Sequence, residues 1–281
     1  MQTLVSREKF TQWQIHVVAK RQSIGFVPTM GALHAGHISI VEKACRENDV
    51  VVVSIFVNPK QFNQSEDFQN YPRTLQTDLL LLSRFQNLVV FTPIEDELFA
   101  DDLHFKSMPL ERIGQILEGE YRPGHFEGVV HVVHNLFALI KPHKAYFGQK
   151  DFQQLAIVKK INDFYHFNIQ IIECETIREK EGLAMSSRNL NLSAEARKAA
   201  LSIYAALKYV ENQVLKDSID EVKKKAIDII VSAGLQVEYL EIVDPASLES
   251  CTKWQKSQVC CIAAYCQGVR LIDNMLCESV L

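Results

Sequence analysis

Apolar residues in the first half of the chain fall into short runs that alternate with helical stripes. Residues 23–27 form one run, and residues 50–57, Val-Val-Val-Val-Ser-Ile-Phe-Val, form another that is continuously apolar, as a strand buried on both faces requires. Between them Ile38, Ile40, Val41 and Ala44 recur at helical spacing, which predicts a helix over about 36–48. The alternation continues with a helix over 75–85, a strand over 88–91, a helix over 129–140, a strand over 144–147, a helix over 152–164 and a strand over 169–174. Strands alternating with helices predict a parallel sheet with crossover helices, with 50–57 at its centre.

After Arg178 the texture changes. Ser193 opens a helix with Glu195 nearby, and Ser218 opens another whose Glu221, three residues on, makes a capping-box pattern; Gly234 stops that helix. Residues 237–243, 259–266 and 269–272 read as strands of a small mixed sheet. A boundary near Ile177 is expected, dividing the chain into 1–177 and 178–281. The length of 281 residues suits two domains of modest size, and 47% apolar with 23% charged residues supplies a core without a disorder signature. A formal net charge of −4 argues against a nucleic-acid groove. Seven cysteines without Cys-x-x-Cys spacing read as reduced, buried small hydrophobes. The first ten residues lack a signal core and no stretch approaches the length of a membrane span, so a cytoplasmic protein with no membrane partner is expected.

Chemistry concentrates at strand ends. Residues 26–37 read Phe-Val-Pro-Thr-Met-Gly-Ala-Leu-His-Ala-Gly-His and run into a helix. Free N–H groups and the helix dipole make such a start welcoming to phosphate, Gly31 and Gly36 let backbone approach a ligand, and His34 and His37 add ring donors. Two histidines alone would pass as polar helix caps; the strand, turn and helix around them make half of a nucleotide fold. Asn58-Pro59-Lys60-Gln61-Phe62 follows the central strand, and Gln61, donor and acceptor at once, suits a hydroxyl or carboxylate ligand unless the segment is merely a polar turn. Arg122 could grip a carboxylate or phosphate, whereas His125 reads as a structural helix cap. His131 and His134 have no third ligand nearby and read as surface or packing histidines, so no metal site is expected. In Gly148-Gln149-Lys150-Asp151, Lys150 suits a phosphate, and Asp151 suits a ribose or a share in holding Mg²⁺. Met185-Ser186-Ser187-Arg188-Asn189 offers two hydroxyls and a guanidinium to triphosphate oxygens, or is an exposed turn.

Taken in order, Pro28-Thr29-Met30-Gly31-Ala32-Leu33-His34-Ala35-Gly36-His37, the segment from Ser54 to Phe62, Tyr71-Pro72-Arg73-Thr74, Arg122-Pro123-Gly124-His125-Phe126, Lys150-Asp151-Phe152-Gln153-Gln154 and the segment from Met185 to Asn189 resemble the pantoate–β-alanine ligase family, within the class I nucleotidyltransferases. The likeness runs through nearly the whole chain. It implies an α/β fold: a Rossmann-like parallel-sheet domain carrying the HxGH nucleotide site, plus a smaller α+β C-terminal lid domain. It implies ATP-dependent condensation of (R)-pantoate with β-alanine through a pantoyl adenylate, with release of pyrophosphate and AMP, by a cytoplasmic homodimer.

The same resemblance puts ATP on Met30, Gly31, Ala32, Leu33, His34, Ala35, Gly36 and His37, on Gly148, Gln149, Lys150 and Asp151, on Ile177, and on Met185, Ser186, Ser187 and Arg188. Gln61 and Gln154 would hold pantoate, with Gln61 also near β-alanine. His37 is named as proton donor, with His34 and Lys150 stabilising the departing phosphates and Mg²⁺ held mainly by ATP. Gln149 stands where the family usually has Glu, Ile177 where Val is usual, and Lys60 where a neutral residue is common. The rivals are another nucleotidyltransferase with the same histidine motif, which would need a phosphate pocket for its acceptor, and an ATP-binding regulator without chemistry.

Overall fold

The structure, a computed structural model, describes residues 1–100 and 103–279. The chain divides into two compact units, residues 1–149 with 154–175 and residues 150–153 with 176–281.

The first unit is built on six strands: β1 (Gln2–Leu4), β2 (Ile24–Thr29), β3 (Val50–Ile55), β4 (Leu88–Phe91), β5 (Lys144–Gly148) and β6 (Gln170–Cys174). They lie in the order β1-β4-β3-β2-β5-β6, and every neighbouring pair is parallel. The helices are α1 (Arg7–Ala19), α2 (Ala35–Glu47), α3 (Ser65–Asn70), α4 (Leu75–Leu82), α5 (Glu95–Leu98), α6 (Glu118–Tyr121), α7 (His125–Ile140) and α8 (Phe152–Phe164), the last beginning among residues of the second unit.

The unbroken apolar run of β3 follows from cover on both faces. Val51 and Val53 pack with Val27, Leu88 and Val90 against Ile38, Val41 and Ala44 of α2. The intervening Val52 pairs with Phe26, whose ring lies 6.2 Å from Phe137 of α7, and in β4 Phe91 lies 4.6 Å from Phe10 of α1. Each such buried side chain stabilises the sheet by about 1.5–3 kcal/mol.

Strand order runs outward from β2 through β3 and β4, then resumes on the other side of β2 with β5 and β6. The carboxyl ends of β2, β3 and β5 therefore flank the point where the order reverses, the place where open α/β sheets bind ligands. β2 is longer than the pattern predicts and continues through Pro28 to Thr29. Even-numbered residues of β2 turn their backbone toward β5, as the His143 N–H donating to Ile24 O shows, but pairing with β5 stops at Phe26. The missing N–H of Pro28 thus removes no ladder bond.

The second unit contains α9 (Ala194–Gln213), α10 (Ile219–Ser232), β7 (Gln236–Val243), β8 (Ser257–Cys266) and β9 (Val269–Glu278). Ser193 Oγ accepts from Ala196 N at 3.1 Å, and Ser218 and Glu221 make the expected reciprocal cap. The three strands are antiparallel throughout, not the mixed sheet the sequence predicts. For β8 and β9 the cause is the two-residue link Gln267-Gly268, with φ of +48° and +81°, a tight turn whose twist matches a hairpin; β7 pairs antiparallel with β8 across the longer connection 244–256, and β9 runs on to Glu278. All seven cysteines are free thiols and all but Cys45 are buried; burial pushes Cys277 up to about 12. Among the described residues no helix is long and apolar enough to cross a membrane.

Candidate active site

The loop leaving β2 is held from beneath. Gly31 (φ +81°) and Ala32 (φ +48°) turn the chain through the left-handed region, and Thr29 Oγ1 accepts from Gly31 N while donating to Ser54 O. The Asp78 carboxylate of α4, only 1% exposed, accepts from Ala32 N at 3.0 Å, Leu33 N at 2.8 Å and Thr74 Oγ1 at 3.2 Å. A Cβ on Gly31 would meet that carboxylate at 3.0 Å. Each of these charged, buried hydrogen bonds is worth about 1.5–3 kcal/mol.

His34 is the N-cap of α2 and His37 its third residue, and together they form a capping box of imidazoles. His34 Nδ1 accepts from Gly36 N at 3.2 Å, and His37 Nδ1 accepts from His34 N at 3.3 Å. An accepting Nδ1 carries no proton, so these hydrogen bonds assign the ring proton to Nε2 in both residues. The helix start that offers backbone N–H groups to an anion thus adds two ring N–H donors, with ring centroids 4.0 Å apart.

Beyond β3, a short 3₁₀ turn (Pro59–Gln61) carries Gln61, which is 8% exposed. Its Nε2 lies 2.8 Å from Met30 Sδ and its Oε1 accepts from Asn58 Nδ2 at 3.1 Å, so the first residue of the β2 loop and this glutamine are brought together. Asn58 Nδ2 also donates to Gly128 O, and Gly128 must be glycine because a Cβ there would stand 2.2 Å from Lys60 O. His125 Nδ1 donates to Gln61 O at 2.7 Å and its Nε2 accepts from Arg122 Nη1 at 3.2 Å, while Arg122 pairs with Glu118 at 3.6 Å. His125 therefore holds the 3₁₀ turn and is not the expected helix cap, since Gly124 is the N-cap of α7 with no side-chain cap bond, and Arg122 supports the histidine. Lys60 lays its ammonium 3.7 Å from the Phe99 ring centre. His131 stacks 3.9 Å from Phe105, and burial, helped by Lys60 and His134, lowers its pKa to about 4; both histidines serve packing.

Gly148 ends β5, and Gln149 begins a 3₁₀ turn. Gln149 Nε2 donates to Glu173 Oε2 at 3.1 Å, and Lys159 Nζ reaches the other oxygen at 2.5 Å, which holds the Glu173 carboxyl below its usual range. Gln154 lies half-buried in α8 of the first unit.

In the second unit Lys150 Nζ stands 3.9 Å from Asp151 Oδ1. Residues 177–185 fold back on themselves: Met185 N donates to Ile177 O at 3.0 Å, Glu179 N to Leu183 O at 2.8 Å, and Arg178 and Ala184 form an antiparallel bridge. Gly182 (φ +107°) sits so close to Tyr204 that a Cβ would overlap the ring at 2.1 Å. Ser186 caps the following 3₁₀ turn by accepting from Arg188 N, and Ser187 is buried. Arg197 binds both oxygens of Glu179, and Asn189 Nδ2 donates to Glu179 Oε1.

Sequence reasoning missed the residues that hold these segments. Asp78 reads as an ordinary acidic residue in a first helical turn; only its burial reveals its partners. Asn58 stands in a segment that was singled out, yet its grip on Gln61 needs the fold. Asp273 and Asn274 of β9, which bind Arg178 and the Lys150 carbonyl, carry no local signal at all.

The chain matches the family model described as pantoate-beta-alanine ligase over residues 2–276. It is 44% identical to the pantothenate synthetase of Cytophaga hutchinsonii, over 97% of this chain and 99% of that protein, and 43% identical to that of Thermotoga neapolitana, over 98% of each. Among solved structures it is similar to the pantothenate synthetase of Thermus thermophilus (TM-score 0.91, 36% identity, 99% of this chain and 100% of that one). It is also similar to the pantoate-beta-alanine ligase of Francisella tularensis, complexed with beta-gamma ATP and beta-alanine (TM-score 0.84, 39% identity, 99% and 98%).

Proposed function

The chain belongs to the pantoate–β-alanine ligase family, and from that premise we propose that its site condenses (R)-pantoate with β-alanine at the expense of ATP. A pantoate carboxylate oxygen attacks the α-phosphorus of ATP, forming pantoyl adenylate as the bond to pyrophosphate breaks. The β-alanine amine then attacks the acyl carbon, AMP leaves, and the amine proton is lost to give pantothenate.

The observation that carries this reading is the approach of Gln61 Nε2 to Met30 Sδ, 2.8 Å, at the switch point of the sheet. It places a neutral donor and acceptor suited to pantoate beside the loop that offers anion donors. In the first step the Nε2–H groups of His34 and His37 hydrogen-bond the phosphates, His37 sharing its proton with the departing pyrophosphate in a hydrogen bond rather than giving it up, since loss of it would leave an imidazolate, and the Lys150 ammonium offsets the charge that develops. A preorganised donor of this kind is worth about 3–4 kcal/mol in the transition state. The site needs no covalent nucleophile; it works by holding reactants in line.

We assign the remaining ATP contacts to residues 30–37, 148–151, Ile177 and 185–188, and pantoate to Gln61 and Gln154, with Gln61 also near β-alanine. Residues 1–177 then form the nucleotide- and pantoate-binding domain, and 178–281 the smaller domain that adds the serine–arginine loop. Mg²⁺ would be held mainly by ATP, with the half-exposed Asp151 carboxylate suited to a share in holding it, and the ion would supply positive charge against the phosphates. We place the enzyme in the cytoplasm as a homodimer, a state that sedimentation would read directly.

The test is pyrophosphate release from ATP, Mg²⁺ and (R)-pantoate, followed before and after β-alanine is added. About one equivalent, then steady pantothenate and AMP, is the expected result. Folded, ATP-binding protein that releases no pantoate-dependent pyrophosphate overturns the reading.

A further inference from the structure

β9 is an edge strand of the small sheet, and two consecutive residues on it reach both segments of the second unit that carry proposed phosphate contacts. Asp273, only 5% exposed, accepts from Arg178 Nη1 at 2.5 Å and Nη2 at 3.0 Å in a bidentate pair. Arg178 also donates to Gly182 O and to Asn274 O, and its guanidinium lies 4.7 Å from the Tyr204 ring centre. Arg178 therefore ties the fold-back of 177–185, which it grips at Gly182 and which leads directly into Ser186, to β9. Side chains alternate along a strand, so Asn274 points to the other side, where its Nδ2 donates to Lys150 O at 2.8 Å. The Asn274 backbone faces outward from the sheet edge, its N–H satisfied by Asp273 Oδ1 and its carbonyl by Arg178.

We propose that Asp273 and Asn274 are positioning residues: a bracket on β9 that fixes the Lys150 turn and the segment from Arg178 to Arg188 at one spacing, so that the groups assigned to the triphosphate meet it together. The inference rests on the proposed function and deepens it. The bracket explains why residues Lys150–Gln153, flanked on both sides by chain of the first unit, pack with the second. Neither residue touches substrate; both act through Lys150 and through the loop that ends in Ser186, Ser187 and Arg188. Because the triphosphate reacts only in the first half-reaction, loss of the bracket slows adenylation and leaves the attack of β-alanine on preformed pantoyl adenylate intact. A purely structural role would slow both.

The test uses the full chain with Asn274→Ala, which removes one hydrogen bond to a backbone carbonyl, and Asp273→Asn, which keeps shape but removes the charge opposite Arg178. Pantoate-dependent pyrophosphate release at saturating ATP should fall about 10-fold to 100-fold in Asn274→Ala, the scale of a small misplacement of reacting groups. Conversion of synthetic pantoyl adenylate and β-alanine to pantothenate should stay within about twofold, since its reactants are still held in place. In a Lys150→Ala background, Asn274→Ala should add little, because the two act in series. Wild-type adenylation in Asn274→Ala overturns the inference, as does a parallel fall of both half-reactions with the melting temperature, or full additivity with Lys150→Ala. Should Asp273→Asn fail to fold, Asn274→Ala decides alone. If the unaltered chain itself forms no pantoyl adenylate, the reading of the site falls first; an active parent with indifferent variants removes the bracket only.

Discussion

His37 Nδ1 accepts the backbone N–H of His34 at 3.3 Å, so one imidazole closes the first turn of α2 and carries its ring proton on the distal nitrogen, the donor proposed for phosphate. The two jobs separate by substitution. His37→Asn puts an amide oxygen near the place of Nδ1 and retains the cap but lacks the distal donor; adenylation should fall about 10²–10³-fold with little change in unfolding free energy. His37→Gln places its amide near Nε2 and loses the cap; it should keep more turnover while costing about 1 kcal/mol of stability. Steady-state rates and urea unfolding of the pair read this directly, and the opposite order of activities would contradict the assignment.

Asp78 accepts two consecutive backbone N–H groups of the histidine loop. Asp78→Asn turns one acceptor into a donor aimed at a donor, in a site closed to water. We expect a loss of about 2–4 kcal/mol and a raised KM for ATP, since residues 31–33 lose the support that shapes them. Wild-type urea stability would show that the loop holds its form unaided.

The parallel sheet was legible because a strand buried on both faces has no choice but to be apolar throughout, as β3 is, and because crossover helices show their stripe, as Ile38, Val41 and Ala44 do. The histidine loop was legible for a related reason: a glycine-bearing turn between strand and helix is local. The β8–β9 hairpin of the small sheet was not, since it turns on the pair of left-handed residues Gln267 and Gly268, and glutamine gives no warning of a positive φ. Nor were β1 and α1 read from the first 22 residues: α1 carries Ile15 and Val18 exposed beside buried Phe10 and Val17, so its stripe is blurred. Supports such as Asp78, Asp273 and Asn274 are set by contacts distant in sequence, which spacing cannot reveal.

Gln149 gains a physical reason from Glu173, to which it donates at 3.1 Å. A glutamate at that position would face the Glu173 carboxylate across the same gap, with Lys159 left to offset two charges. At a half-exposed site Gln149→Glu should destabilise by about 0.5–1 kcal/mol at neutral pH and low salt, and added salt should recover most of it. Urea unfolding at two ionic strengths measures this; a more stable variant at low salt would mean that Glu173 moves aside.

His131 stacks on Phe105 and meets Phe99 edge-on at 4.6 Å, with Lys60 and His134 as the charges that oppose its protonation. Its pKa falls from 6.5 in the unfolded chain to about 4 in the fold, first through burial. Between those values the unfolded chain binds the extra proton, so its contribution to stability is whole above pH 6.5, declines as pH falls toward 4, and is level below. Discounted for partial solvent screening, the decline is on the order of 2 kcal/mol. His131→Phe keeps an aromatic plane between Phe99 and Phe105 and removes the titration, so urea unfolding from pH 7 to pH 4 should show a shallower loss than in the parent. His134, shifted the same way by burial, titrates in both proteins and leaves a residual slope. Equal slopes in the two proteins would mean that the folded chain protonates His131 as readily as the unfolded one.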